Sequence, residues 1–247
     1  RMDDVNATTG VLDYLGRNNG TRKGNASQTD AGKLGKGMSF DGNGDYVEIG
    51  NQPSVNFTTE NFSYGGWFKT NSSNAGYPLG KGDAPSTNGE GYYISFTGGN
   101  IDCGINNGSG SKLVIRKTTS IYSNNQWHYI ICSMNRNGSG IMYVDGINVT
   151  STNISSKSSS ISSTGSFYIA DIGGGYPDFN GTIDDVMIFN RSLSSDEILS
   201  IYNATKLQHT ENLSDGSHSF KAWTQDLAGN MNNSGLISFT TDTSYPI

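Results

Sequence analysis

The stretch NQWHYIICSMNRNGSGIMYVDG, residues 125–146, decides the fold. Its two apolar runs, WHYIICSM (127–134) and IMYV (141–144), flank NRNGSG (135–140). Asn, Gly and Ser accept the backbone angles and local hydrogen bonds of tight turns, so these residues predict two strands joined by a hairpin. VDGIN (144–148) supplies the next turn. The same grammar recurs outward in YVEI (46–49), FSYGGWFK (62–69), YYISF (92–96), KLVIRK (112–117), SFYIAD (166–171) and IDDVMIFN (183–190). Between them lie DGNGD (41–45), TGGN (97–100), NNGSGS (106–111) and GGG (173–175). Short strands at this spacing predict an all-β, two-sheet antiparallel sandwich, not alternating strands and helices. Residues 151–164, nearly all Ser and Thr, predict a flexible loop or a poorly fixed edge.

One short helix is expected at 195–203, lying across an end or edge of the sandwich. Ser194 and Glu197 have capping-box spacing, Leu193 and Ile198 stand at the staple positions, and Ile201 and Tyr202 continue the apolar face. After Lys206 the pattern changes. SHSFKAWTQD and GLISFTTD read as strands with LAGNMNNS as their turn, too little for an independent core. The expected division is therefore 1–206 and 207–247.

At 247 residues, with 33% hydrophobic and 15% charged residues and 33 glycines, the chain is large enough for one sizeable β-domain. The net charge of −6 and the scattered Lys and Arg argue against nucleic acid as a partner. No run approaches the roughly 18 to 20 apolar residues of a spanning helix, so no direct membrane insertion of this segment is expected. Fifteen Asn-Xaa-Ser/Thr sequons point to a secreted glycoprotein, with Asn19, Asn137 and Asn180 the expected exposed acceptors because each lies in a Gly-containing turn. Cys103 and Cys132 sit in IDCGI and YIICSM. They fit either a cross-strand disulfide, if those strands are neighbours, or two buried thiols.

KLGKGMSFDGNGDYVEIG (33–50), NFSYGGWFKT (61–70), residues 125–146 and GTIDDVMIFNRSLSSDEILSIYNAT (181–205) together resemble the laminin-G-like branch of the concanavalin A-like lectin/glucanase jelly rolls. The resemblance implies a jelly-roll topology for 1–206. The tail, with SHSFKAWTQDLAGN, is similar to the last strands of immunoglobulin-like repeats in prokaryotic, especially archaeal, surface proteins. At the front, Arg1-Met2-Asp3-Asp4 matches only the end of the family's first strand, and DYLGRNNGT (13–21) matches the loop after it. Both ends thus look excised from a longer polypeptide or completed by a neighbour, which makes strand pairing with other copies of the chain an expectation.

An enzyme is not expected. Glucanases of this fold carry a Glu-x-Asp-x-x-Glu strand motif, and Glu48, Glu60, Glu90, Glu197 and Glu211 do not form one. His128, His209 and His218 lack the spacing of a metal pair or triad. Calcium suits the oxygen-rich loops better. Asp184, read by simple alternation, shares a strand face with Val186 and Ile188, where a bare carboxylate is costly. The family resemblance implies a calcium set of Asp3, Asp13, Asn18 and Asp184, with Asp41 and Asp45 in reserve. Of Tyr77, Tyr92, Tyr93, Tyr122 and Tyr176, which lie in or beside loops, Tyr176 is the expected ligand-facing ring. The leading expectation is an extracellular, cell-surface recognition or adhesion module for glycan or surface protein. A subunit of a surface layer or filament, and a carbohydrate-binding accessory domain of a secreted hydrolase, are the competing readings.

Overall fold

The computed structural model describes residues 5, 10–118, 122–173, 175–206, 214–221, 223–225, 231–233 and 235–241. The chain forms two compact units, Arg1–Leu207 and Gln208–Ile247. In the first, the strands are β1 (Gly10–Val11), β2 (Gly20–Lys23), β3 (Ser27–Thr29), β4 (Gly37–Asp41), β5 (Tyr46–Gly50), β6 (Phe62–Lys69), β7 (Gly76–Gly82) and β8 (Glu90–Thr97). They continue as β9 (Asn100–Asn107), β10 (Leu113–Thr118), β11 (Trp127–Met134), β12 (Ser139–Val144), β13 (Ile147–Asn153), β14 (Phe167–Ile169) and β15 (Asn180–Phe189), followed by the helix α1 (Ser195–Lys206). Among the described residues one sheet runs β1-β2-β5-β14-β7-β8-β9-β10 and the other β13-β12-β11-β6-β15-β4-β3. The protein is an all-β, two-sheet antiparallel sandwich of jelly-roll type.

Alternation explains the core. Phe62, Tyr64 and Phe68 of β6 face Tyr92, Ile94 and Phe96 of β8 in one buried cluster with Ile101, Ile105, Ile130 and Phe167. Each aromatic or branched side chain removed from water contributes about 1.5–3 kcal/mol. The other face of β6 is buried as well. Trp67 packs with Tyr129, Ile131 and Tyr143 beneath Leu193 and Ile198. The indole of Trp67 lies 5.3 Å from the Tyr129 ring and donates to Thr205 Oγ1 at 3.1 Å.

The capping box is formed, with Ser194 N donating to Glu197 Oε2 at 2.9 Å and Glu197 N to Ser194 Oγ at 3.3 Å. The helix runs to Lys206, past 203, because its last turn carries Thr205, the acceptor for Trp67. Cys103 and Cys132 form a disulfide with a Cα separation of 6.0 Å. Their strands, β9 and β11, belong to opposite sheets, so the bond crosses the core and does not link adjacent strands.

The Ser/Thr-rich segment is fixed, contrary to its composition. Residues 147–153 form β13 against β12, Ser155–Lys157 make a 3-10 turn, and Ile154 and Ile161 are buried. The reason is Arg136, a fully buried guanidinium that donates to the carbonyls of Lys157, Ser159 and Thr58. Lys157 in turn donates to Asn107 Oδ1 at 3.0 Å and to Ser109 O at 2.6 Å.

The second unit has β16 (Gly216–Phe220) paired with β19 (Ile237–Thr241) and β17 (Trp223–Gln225) paired with β18 (Met231–Asn233). Residues 231–233, expected in the turn, therefore form a strand of their own. Arg136→Met is expected to lower the urea-unfolding free energy by about 3 kcal/mol, since three buried carbonyls lose a charged donor. It should also speed amide exchange at Lys157 and Ile161, and unchanged exchange there would show that something else holds the segment.

Candidate functional site

The outer face of the larger sheet is the place to look, because α1 covers the other sheet's outer face. Pairing aligns Glu48, Tyr168, Gly80, Tyr93, Gly104 and Val114 across β5, β14, β7, β8, β9 and β10. Two glycines in this row make room for large neighbours. A Cβ on Gly104 would meet the Tyr93 ring at 2.1 Å, and one on Gly80 would meet Ile172 at 2.4 Å. Tyr93 stacks edge-on with Tyr77 at 5.4 Å, and Tyr77 meets Tyr176 at 5.5 Å. Burial raises the Tyr77, Tyr93 and Tyr176 hydroxyls above their ordinary pKa, so all three remain protonated donors at neutral pH. Beside them Arg116 grips the buried Asp102 through two bonds of 2.7 and 2.6 Å.

Next to this aromatic row is a cleft of about 330 Å³ whose lining includes Asp83, Ser163, Ser166, Tyr168, Ile172 and Gly173. Tyr168 supplies ring surface beside the buried Ile172, Ser163 and Ser166 supply hydroxyls, that of Ser166 donating to Glu48 Oε1 at 3.1 Å, and Asp83 is exposed. One wall is held from beneath by Lys81, which is fully buried and donates to Asn51 Oδ1 at 2.8 Å, Ser163 O at 3.0 Å and Gly165 O. Burial pulls its pKa down to about 8. The opposite wall is formed by Ile172 and Gly173. Asp171 Oδ1 accepts from the amides of Ile172 at 2.6 Å and Gly173 at 2.9 Å, and Gly44 N donates to Asp178 Oδ2 at 2.7 Å. Tyr176 reaches across to hydrogen-bond Asp83, which also accepts from Ser86 Oγ at 2.7 Å.

Residues 41–199, more than half of the chain, match the model of the concanavalin A-like lectin/glucanases superfamily, Laminin_G_3. The chain belongs to that superfamily. No curated protein sequence matches it. Three solved structures are similar to this superfamily member at the level of fold. The binding domain of Paraclostridial Mosquitocidal Protein 1 is 17% identical with a TM-score of 0.67, over 93% of this chain and 61% of that one. The ligand binding domain of botulinum neurotoxin serotype D, in complex with N-acetylneuraminic acid, is 18% identical with a TM-score of 0.63, over 82% and 49%. Domain 4 of AbnA, an extracellular GH43 arabinanase from Geobacillus stearothermophilus, in complex with arabinotriose, is 19% identical with a TM-score of 0.57, over 72% and 82%. This chain thus spans 61% and 49% of the two toxin domains.

The sequence-derived residues of this superfamily member fall in separate places. Tyr176 stands on the aromatic row, half-buried. Tyr92, by contrast, faces the core, with its hydroxyl donating to Val55 O at 2.8 Å. Asp13 and Asn18 are neighbours: Asn18 N donates to Asp13 Oδ2 at 3.2 Å, Arg17 N does so at 2.9 Å, and Ser54 Oγ donates to Asn18 Oδ1 at 2.5 Å. Asp3 lies outside the described residues. Asp41 and Asp45 cap turns, through the amides of Asn43 and Asn25.

Asp184 does not share a face with Val186 and Ile188. A β-bulge between Asp184 and Met187, with Asp185 at φ +44°, breaks the alternation. Asp184 therefore pairs beside Trp67, and its carboxylate accepts from the amides of Lys33 at 2.9 Å, Leu34 at 3.0 Å and Asp185 at 2.8 Å. Among the described residues, no three His, Cys, Asp or Glu side chains converge as a metal cluster. The set fits a calcium cage only in part, at Asp13 and Asn18. Asn19, Asn137 and Asn180 are exposed, though Asn180 opens β15 and does not sit in a turn.

Alternation reveals Tyr168, since it lies between the inward Phe167 and Ile169. Asp83 and Ser163–Ser166 carry no such signal, because only the tertiary fold gathers them. Burial raises the Asp184 pKa from 3.8 to about 6. A carboxyl raised on folding contributes stability that is fully present below pH 3.8 and is lost as pH rises through about 6. Denaturant midpoints should accordingly fall between pH 4 and pH 7 by the equivalent of about 2 kcal/mol. Asp184→Asn should abolish that fall, and a fall of the same size in the variant would assign it elsewhere.

Proposed function

We propose that this domain is a non-catalytic, extracellular module that binds carbohydrate on a surface through the cleft at Tyr168. The observation that carries the reading is the combination in one concave site of apolar ring surface, clustered hydroxyls and a single carboxylate. Sugars present C–H faces to rings and hydroxyls to polar groups, and this lining offers both. Asp83 is the one carboxylate among the residues that line the cleft. Hydrolysis of a glycosidic bond requires a pair of carboxyl groups flanking it, and this lining supplies one. The complexes of two neighbours with N-acetylneuraminic acid and arabinotriose support a glycan ligand for the fold, and the disulfide supports an oxidising, extracellular setting. Adhesion within a surface glycoprotein is the setting proposed for this binding.

The proposal retains calcium as a stabilising ion at the β1–β2 turn, with the partly exposed Asp13 and Asn18 as ligands, and leaves Asp184 out because it is fully buried against Trp67 with three amides on its carboxylate. Glycans on Asn19, Asn137 and Asn180 complete it. Calorimetric titration against a panel of soluble oligosaccharides should show binding that Tyr168→Ala weakens at least tenfold, about 1.4 kcal/mol, without lowering the melting temperature. Loss of no affinity in that variant would move the site elsewhere. For protein from its native host, intact mass should exceed that of the bare polypeptide and chelation should lower the melting temperature. A bare mass or an unchanged melt would remove the glycans or the calcium respectively.

A further inference from the structure

We infer that the cleft selects uncharged sugar units and rejects acidic ones, an inference that rests on the glycan-binding reading above. Every cation near the site is already committed. Lys81, the base under the cleft, turns its ammonium into Asn51 Oδ1 and the carbonyls of Ser163 and Gly165. Arg116 donates to Asp102 through Nε and Nη2, and Lys23 lies 3.7 Å from Glu48. Among the described residues these ion pairs leave one cation, Lys81, whose ammonium is turned into the Ser163–Gly165 wall, against Asp83 at the rim and Asp171 and Asp178 beneath the far wall.

Those two carboxyls hydrogen-bond each other, and burial, with Asp171 and Asp45 nearby, pushes the Asp178 pKa up. Desolvation is the first cause of that shift, and the neighbouring carboxyls add to it. A ligand carboxylate entering the cleft would lose its hydration, find no guanidinium or ammonium among the residues that line it, and meet the exposed Asp83. A neutral sugar meets no such cost. Its hydroxyls can donate to Asp83 and exchange hydrogen bonds with Ser163 and Ser166, while its apolar face lies on Tyr168. Asp83 holds its place through Ser86 and Tyr176, so its acceptor oxygens are positioned before the sugar arrives.

The test is titration of the whole chain with three probes of matched length: a neutral arabino- or gluco-oligosaccharide, an oligouronate, and a sialylated oligosaccharide. The neutral probe should bind, with both acidic probes at least tenfold weaker. Asp83→Asn, which keeps an acceptor for Ser86 and Tyr176 but removes the charge, should narrow that gap several-fold with a wild-type melting curve. Acidic probes binding as tightly as the neutral one, or an unchanged gap in Asp83→Asn, would overturn the charge selection while leaving the binding module standing. Failure of all three probes, and of a wider panel, would overturn the binding reading and this inference together.

Discussion

Strand β6 must be buried on both faces, and much of the molecule follows from that constraint. Phe62, Tyr64 and Phe68 point into the inter-sheet core, so a second layer is needed on that side. Trp67 points outward, so a cover is needed there too, and α1 with Leu193 and Ile198 provides it. Between the two sets stand Gly65 and Gly66. A Cβ at Gly65 would meet the Ile130 carbonyl at 1.9 Å, and one at Gly66 would meet Asp184 O at 3.1 Å. The glycines let β11 and the bulged β15 close in on β6 from either side. Closing in this way turns Asp184 toward Trp67 and away from the core.

The same economy governs the buried charges. Lys81, Arg136, Lys157 and Asp184 are all removed from water, and backbone amides or carbonyls supply partners for each. A buried charge without partners would cost several kcal/mol, so each of these groups draws an irregular segment tightly onto the sandwich. Arg136 and Lys157 order the serine-rich stretch, Asp184 fixes the turn at Lys33–Leu34, and Lys81 fixes Ser163–Gly165. The rigid wall of the cleft is thus a consequence of satisfying one lysine.

The two outer faces differ for a related reason. The helix covers one of them over β6, β11 and β12. The other is covered by tyrosine rings and by the segments around Ala84 and Ile172, which leave a recess beside them. Ile172 over Gly80 and the Tyr93 ring over Gly104 press the rings close to the sheet, and Tyr168 forms the floor beside them.

What the sequence determined by itself is what depends on local pattern. Period-two alternation and turn residues mark strands such as 62–69 and 127–134, and Ser194 with Glu197 and Leu193 with Ile198 mark the start of the helix, because those interactions span only a few residues. Strand β7, GYPLGKG, escaped this reading because its three glycines and one proline carry turn chemistry, while Lys81 looks like a surface residue. The partner strands of Cys103 and Cys132, the face of Asp184 and the order of residues 154–161 were decided only in the tertiary structure. Each depends on groups far apart in the chain: a sheet-to-sheet register, a bulge fitted against two glycines, and a guanidinium that collects carbonyls from Thr58 and Ser159. The cleft belongs with these. Asp83, Ser163 and Tyr168 come together only when β7 and β14 lie side by side and Lys81 draws the serine turn down upon them.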